Sequence, residues 1–321
     1  MIHELTAKEC AELLLGAKDP TVVMHVRPDG DTVGSAVALI KVFEALGKNA
    51  GYICNDEIPE RLSFLTKGIE KRTKPSGDVV CIDIASVSQI GDIYESFEKV
   101  LFTVDHHASN TPFSPHYTVS KASSAAEALM DVIELLEHEG HVKLNKEIAD
   151  ALYAAISSDT GRFCYSSTTP KTHRRAARLL ELGADAAAIN HLLFNTKSLA
   201  ALKAEAMAAL GVRLFDGGSV AGLAITKEDI EEIGARHEDF DTAIDIVRSV
   251  RGVEIALVVK ETPDGKIKAS LRSTNENVAR IAEAFGGGGH ILAAGCYVDA
   301  KSTDEALDLL ISEMKKQRTD K

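Results

Sequence analysis

The feature that most constrains this chain lies in its first 160 residues, where short apolar runs alternate with helical patterns and three of the runs stop on an aspartate or a histidine. The runs at 21–25 (TVVMH), 50–54 (AGYIC), 79–83 (VVCID) and 100–105 (VLFTVD) have strand length and are rich in β-branched residues. Segments 34–46 and 123–138 carry apolar residues at three-and-four spacing, which predicts amphipathic helices. Strands that alternate with helices predict parallel βαβ units in a doubly wound sheet. Two more helices are expected at 145–157, with Asn145 as N-cap, and at 170–182, with Pro170 in the first turn.

Beyond residue 183 the texture changes. The alanine-rich stretch 184–210 has good helix propensity and reads as connecting helices. Runs 212–215, 219–225, 253–260 and 266–273 read as strands, the last two joined by a hairpin at Thr262-Pro263-Asp264-Gly265. Helices are expected at 240–250, 278–285 and 304–316. The pattern predicts a parallel-sheet domain at 1–185, a helical linker at 186–212 and a smaller α/β domain with a mixed sheet at 213–321, with a cleft between the domains. A length of 321 residues suits two domains.

Composition narrows the function. Hydrophobic residues at 45% and charged residues at 26% exclude disorder as the main state. No run approaches the ~18 apolar residues of a membrane span. The start (Met1, His3, Glu4, Lys8, Glu9) has no signal pattern. Cys10, Cys54, Cys81, Cys164 and Cys296 are odd in number and dispersed, which argues for a reducing cytoplasm and against a disulfide framework. Thirty-six basic against 48 acidic residues give −12, a poor match for long duplex nucleic acid. A short anionic substrate remains open, because bound metals invert the local sign.

Four stretches supply the donors for such metals. They are His25-Val26-Arg27-Pro28-Asp29-Gly30-Asp31, Cys81-Ile82-Asp83, Val104-Asp105-His106-His107, and Ser157-Ser158-Asp159-Thr160-Gly161 after a predicted helix. In a parallel sheet the carboxyl ends of neighbouring strands converge on one crevice, so these side chains can meet. Imidazole with several carboxylates suits Mn²⁺, Fe²⁺, Co²⁺ or Zn²⁺, whereas oxygen donors alone favour Mg²⁺ or Ca²⁺. The donors suffice for two ions about 3.5–4 Å apart, provided one carboxylate bridges them. Gly30 is expected to let Asp29 and Asp31 point the same way around a tight turn. Any one of these aspartates alone reads more simply as a helix cap; four coordinated sites with an adjacent histidine pair do not.

In this order the four motifs resemble those of the DHH phosphoesterase superfamily. Leu271-Arg272-Ser273 and Phe285-Gly286-Gly287-Gly288-Gly289-His290, followed by Ala293-Ala294-Gly295, resemble the glycine-rich signature of the DHH-associated domain. The two-domain layout is most similar to the stand-alone bacterial NrnA-type branch, which degrades very short RNA and dephosphorylates 3'-phosphoadenosine 5'-phosphate (pAp). The resemblance implies two Mn²⁺ ions, with Co²⁺ or Mg²⁺ as substitutes. His25, Asp29 and Asp83 would hold one, and Asp31, Asp83, His106 and Asp159 the other, activating a hydroxide between them. Asp105 would orient its neighbouring histidine, and His107 would act on the scissile phosphate. Arg272, Ser273, Gly287, Gly288, Gly289 and His290 would bind substrate, with His290 expected at a helix start. Arg27, Ser35 and Cys164 are left without a defined role; Gly34-Ser35 is read as a helix start and Cys164 as a small buried hydrophobe.

The function implied is hydrolysis of short oligoribonucleotides to nucleoside 5'-monophosphates, with pAp phosphatase activity alongside. Partners would be short single-stranded RNA, pAp or pApA, with no membrane, and a homodimer remains open. The same chemistry on pApA or cyclic di-AMP, and a catalytically silent nucleotide-binding protein, are the alternatives.

Overall fold

The structure, a computed structural model, describes residues 2–319. The chain divides into two units, Met1–Thr196 and Lys197–Lys321, a break that falls inside the 186–212 stretch. The first unit runs α1 (Ala7–Gly16), β1 (Thr21–Val23), α2 (Gly30–Ala45), β2 (Gly51–Ile53), α3 (Ser63–Thr66), β3 (Val79–Ile82), β4 (Val100–Asp105), β5 (His116–Thr118), α4 (Ala125–His138), α5 (Lys146–Asp159), α6 (Pro170–Glu181) and α7 (Ala186–Asn190). A π-helical turn, His191–Asn195, closes it.

Among the described residues the five strands of this unit pair in parallel in the order β2-β1-β3-β4-β5. The four expected strands form, three of them shorter than their apolar runs. Strand β5 was not foreseen, because its three half-buried residues are too few to show a pattern. Helix α1 was missed too, although Thr6 and Glu9 form a capping box at its start.

One sheet face, with Val22, Val80, Ile82, Phe102 and Val104, is buried under α1, α2, α4 and α5. The other, with Val23, Val79, Cys81 and Val100, is covered by short turns carrying Ile90, Ile93 and Tyr94. Two features of this packing place the site. Successive strands leave β1 toward β2 on one side while β3 lies on the other, so the carboxyl ends of β1 and β3 flank a topological switch point. Helices α2 and α5 also cross closely: a Cβ on Gly34 would come within 2.6 Å of the Ala151 carbonyl oxygen, and one on Gly30 within 2.2 Å of Ser158 Oγ. This antiparallel crossing sets Asp159, the last residue of α5, at the start of α2. Gly30 is therefore needed for space inside a helix start, and the tight turn expected around it is absent.

The second unit contains α8 (Leu199–Gly211), β6 (Arg213–Phe215), β7 (Val220–Ile225), α9 (Lys227–Glu232), α10 (Ala243–Arg248), β8 (Ile255–Glu261), β9 (Ile267–Ser273), α11 (Val278–Glu283), β10 (Gly288–His290), β11 (Ala293–Val298) and α12 (Thr303–Thr319). Its sheet, ordered β10-β11-β9-β8-β7-β6, is mixed: β7 and β8 are parallel and the other pairs antiparallel. The Thr262–Gly265 hairpin forms, with the Gly265 N–H donating to the Thr262 carbonyl at 2.9 Å. Leu257, Ala269, Leu271 and Cys296 pack on α11 and α12. Ala221, Leu223, Ala256 and Val258 pack on the opposite side with α8 and α10 residues.

Strands β10 and β11 replace the expected helix start at His290. A run of glycines cannot hold a helix, but its bare backbone can approach a neighbouring strand closely. Gly289, at φ +149°, pairs opposite Ala294, and a Cβ there would meet the Ala293 carbonyl oxygen at 2.5 Å. His290 thus ends a strand and is exposed.

Candidate active site

The carboxyl end of β1 leads into His25. Its Nδ1–H donates to the Val26 carbonyl at 2.8 Å, which leaves Nε2 facing Asp29 at 3.7 Å and Asp83 at 3.5 Å. Asp29 is the N-cap of α2, accepting from the N–H groups of Asp31 and Thr32. Burial works against charge on His25, but the carboxylates of Asp29 and Asp83 beside it override this and raise the imidazole to about 10.

Asp83 follows β3 directly. It is 2% exposed, adopts the left-handed conformation at φ +60°, and its Oδ1 is buried without a hydrogen-bond partner. Left-handed backbone at an aspartate and an unsatisfied buried carboxylate oxygen each cost stability. Such strain persists where the surroundings fix it, and it clusters at functional sites.

Asp31 is fully buried and reaches the start of α4, where it accepts from Ala125 N–H at 2.6 Å and Ala126 N–H at 3.1 Å; Ser35 Oγ donates to it at 3.0 Å. The positive end of a 14-residue helix compensates part of its charge. Burial, reinforced by Asp83 and Asp159, still holds its carboxyl well above the usual carboxylate range. His106 Nε2 lies 3.8 Å from Asp31, 3.6 Å from Asp83 and 3.7 Å from Asp159, while its Nδ1 turns to the Ala122 carbonyl at 3.4 Å. Burial raises Asp159 to about 6.

Three overlapping donor groups share this end of the sheet: His25, Asp29 and Asp83; Asp31, His106 and Asp159; and Asp83, His106 and His107. Asp83 belongs to the first and the third, and lies 3.6 Å from His106 of the second. His25 and His106 turn Nδ1 to a backbone carbonyl and Nε2 to the carboxylates, the arrangement that metal-binding histidines use. The separations exceed hydrogen-bond length, and the partnerless Asp83 oxygen faces this gap. The donor set fits divalent cations.

Asp105, buried at the end of β4, accepts from His107 Nδ1–H at 2.7 Å and from Asn110 Nδ2–H at 2.6 Å. The bond to Asp105, partly opposed by burial, raises His107 to about 9. The neighbour that Asp105 orients is thus His107 rather than His106. Asn110, five residues after Asp105, was not singled out from sequence, and only that spacing hinted at it.

The remaining residues fall into place differently. Ser35 lies in the second turn of α2, not at its start, and its role is to hold Asp31. Arg27 is exposed at φ +52°, with its backbone N–H donating to Asp56. Cys164 is exposed, not buried. Sequence reading also missed Arg162 and Phe163, two consecutive left-handed residues at φ +60° and +64° just after Asp159; the Arg162 guanidinium lies 4.9 Å from the Phe194 ring centre.

In the second unit, Arg272 and His290 both neighbour Ala293, on β9 and β10 respectively. Ser273 Oγ accepts from the N–H groups of Asn275 and Glu276, stabilising the turn after β9. Gly287 packs against β11, where a Cβ would meet the Gly295 carbonyl oxygen at 2.3 Å; Gly288 faces open space.

Comparison with known proteins identifies the family. The model of the DHH family N-terminal domain matches residues 20–156, and that of the DHHA1 domain matches 218–316. The bifunctional oligoribonuclease and PAP phosphatase NrnA of Thermus thermophilus is 30% identical over 96% of this chain and 93% of its own length. The chain belongs to the DHH phosphoesterases. The Bacillus subtilis protein of the same description is 27% identical over 92% of this chain and 93% of its own. A Bacteroides fragilis exopolyphosphatase-related protein has the same fold, with a TM-score of 0.87 at 22% identity, over 98% of this chain and 96% of that one. As a DHH protein the chain is a phosphoesterase enzyme, and no helix among its described residues is long and apolar enough to cross a membrane.

Proposed function

We propose that this DHH protein is a Mn²⁺-dependent enzyme that hydrolyses RNA of roughly two to five nucleotides to nucleoside 5'-monophosphates and also dephosphorylates pAp. The Asp83 carboxylate carries this reading: buried, left-handed and short of a partner, it belongs to two of the three His/Asp groups. His25, Asp29 and Asp83 would hold one ion; Asp31, Asp83, His106 and Asp159 would hold the second. Bound there, two dications lower the pKa of water and stabilise charge on phosphoryl oxygens.

The chain's own groups supply the rest. The Val26 and Ala122 carbonyls keep His25 and His106 in the tautomer that leaves Nε2 free. Asp105 fixes the His107 ring by Nδ1, so Nε2 is available to protonate the leaving oxygen or to stabilise charge on the phosphoryl group. Arg272 would grip a phosphate remote from the reaction with its planar fork, and His290 and the backbone at Gly287, Gly288 and Gly289 would flank it. The two relatives described as oligoribonuclease and PAP phosphatase, each aligned over more than nine-tenths of this chain, support the substrate class.

The test is turnover by the purified protein with Mn²⁺ on 5'-labelled dinucleotides, a 24-mer, pAp and pApA. Dinucleotides and pAp should be consumed, the 24-mer spared, and a chelator should stop the reaction. Turnover of pApA without any of dinucleotides or pAp would replace this substrate assignment.

A further inference from the structure

A glutamate is almost never fully buried unless something pairs with it. Glu127 of α4 is such a group, and the proposed chemistry leaves it unused. It is 1% exposed, and its Oε2 accepts three hydrogen bonds, none of them from a cation. The donors are the Ser123 N–H at 3.2 Å, the Ser123 hydroxyl at 2.5 Å and the Thr172 hydroxyl at 2.8 Å. Thr172 is fully buried in the first turn of α6, where its Oγ1 also accepts from the Thr169 N–H at 3.1 Å. One carboxylate oxygen therefore ties the starts of α4 and α6 together.

Packing alone does not ask for this. Further along the same two helices Asp131 pairs with Lys171 and Arg175, and Glu134 with Arg175, so α4 and α6 are already joined. An apolar side chain at 127 would avoid the desolvation that a buried carboxylate costs. What the carboxylate adds is control of the first turn of α4. Ser124 is the N-cap, accepting from the Glu127 N–H at 3.1 Å, and the next two residues are Ala125 and Ala126. Their N–H groups are the ones that Asp31 accepts, at 2.6 and 3.1 Å, one on each carboxylate oxygen. The turn that aims Asp31 thus lies between two anchors supplied by residue 127: its backbone N–H on Ser124 and its side chain on Ser123.

We propose that Glu127, with Thr172 behind it, is a positioning residue for Asp31. It fixes the Ala125 and Ala126 N–H groups so that the Asp31 carboxylate points toward His106 and Asp159, the ion site it would complete. This rests on the two-ion reading above and extends it by a carboxylate and a hydroxyl that would touch neither ion nor substrate. Groups that hold a metal ligand from behind set its orientation, and their loss costs about 10–100-fold in metal affinity.

The experiment titrates Mn²⁺ calorimetrically into chelator-treated wild type, Glu127→Ala, Thr172→Val and Thr172→Ser. Tm and amide hydrogen exchange at Ala125 and Ala126 are read on the same proteins. Glu127→Ala should weaken one of the two Mn²⁺ affinities by about 10–100-fold and Thr172→Val by about tenfold, with the other affinity unchanged. Exchange at the two amides should quicken, and Thr172→Ser, which keeps the hydroxyl, should behave as wild type. Thr172→Val is nearly isosteric and decides the matter should Glu127→Ala fail to fold. A lowered Tm with both ions bound as in wild type, or equal weakening of both ions, would make Glu127 part of the fold only and overturn the proposal. If wild type binds no Mn²⁺ yet Thr172→Val exchanges those amides faster, the two-ion reading fails and the brace on Asp31 stands. Unchanged exchange at both amides overturns the brace whatever the ions do.

Discussion

Asp31 and Asp83 are almost wholly buried, whereas Arg272 is half-buried and His290 exposed on a strand pair built from glycine and alanine. The carboxylates are over-determined: Asp31 accepts three hydrogen bonds, and Asp83 is held against its backbone preference. The Arg272 guanidinium makes one, to a neighbouring carbonyl. A rigid, strained cluster suits groups that must hold ions in fixed positions, while a loosely tethered guanidinium suits capture of a flexible anion. Under the proposed function chemistry would fall to the first unit and substrate choice to the second, and that division can be broken in several places.

The largest effect should come from Asp83→Asn. Among the described residues Asp83 is the carboxylate that falls in two of the three donor groups, so dinucleotide turnover should fall beyond about 10⁴-fold, further than in Asp29→Asn. Equal, modest losses in the two variants would remove its shared role. His107→Ala should lower kcat by roughly 10²–10⁴ with manganese content unchanged, because Asp105 holds its ring by Nδ1 and the proposed ions do not need it. Loss of an ion in that variant would move His107 into the donor set. Arg272→Ala should reduce kcat/KM on dinucleotides by roughly 10–200-fold, the value of a charge-assisted bond. Turnover of bis-p-nitrophenyl phosphate, which lacks a remote phosphate, should change little; equal losses on both substrates would make Arg272 structural.

Ion removal gives a smaller, thermodynamic contrast. Burial raises Asp159 from 3.8 to about 6, and burial with the neighbouring carboxylates holds Asp31 well above the usual carboxylate range. In the ion-free protein the folded state then binds more protons than the unfolded one, so stability falls as pH rises from about 4 through 6. His25 and His107 are raised from 6.5 to about 10 and about 9, so their contribution is complete below 6.5 and is lost as pH climbs through those values. Divalent ions act oppositely, since they need ionised carboxylates and neutral imidazoles. The gap in Tm between manganese-loaded and chelator-treated protein should widen from pH 5 to pH 8. A constant gap would contradict ion binding at this cluster.

Sequence made the first unit more legible than the second for a physical reason. Strands β1, β3 and β4 are marked by apolar runs that stop at His25, Asp83 and Asp105, and the caps Asn145 and Asp29 sit where helix-start chemistry puts them. What stayed hidden was set by tertiary contact: Asp31 meets α4 94 residues away, and Gly30 is required by Ser158 of another helix. The glycine-rich signature carries almost no propensity, so β10 and β11 exist through their pairing alone, and the helix expected at His290 had only local pattern behind it.

The central claim is that the Asp83 cluster holds two ions while the second unit holds none, and the most direct measurement is the number of manganese ions bound per chain. Mass spectrometry of wild type, Asp83→Asn and Arg272→Ala after equilibration with Mn²⁺ should give about two, less than one and about two ions, respectively. Two ions retained by Asp83→Asn, or an ion lost from Arg272→Ala, would contradict the account.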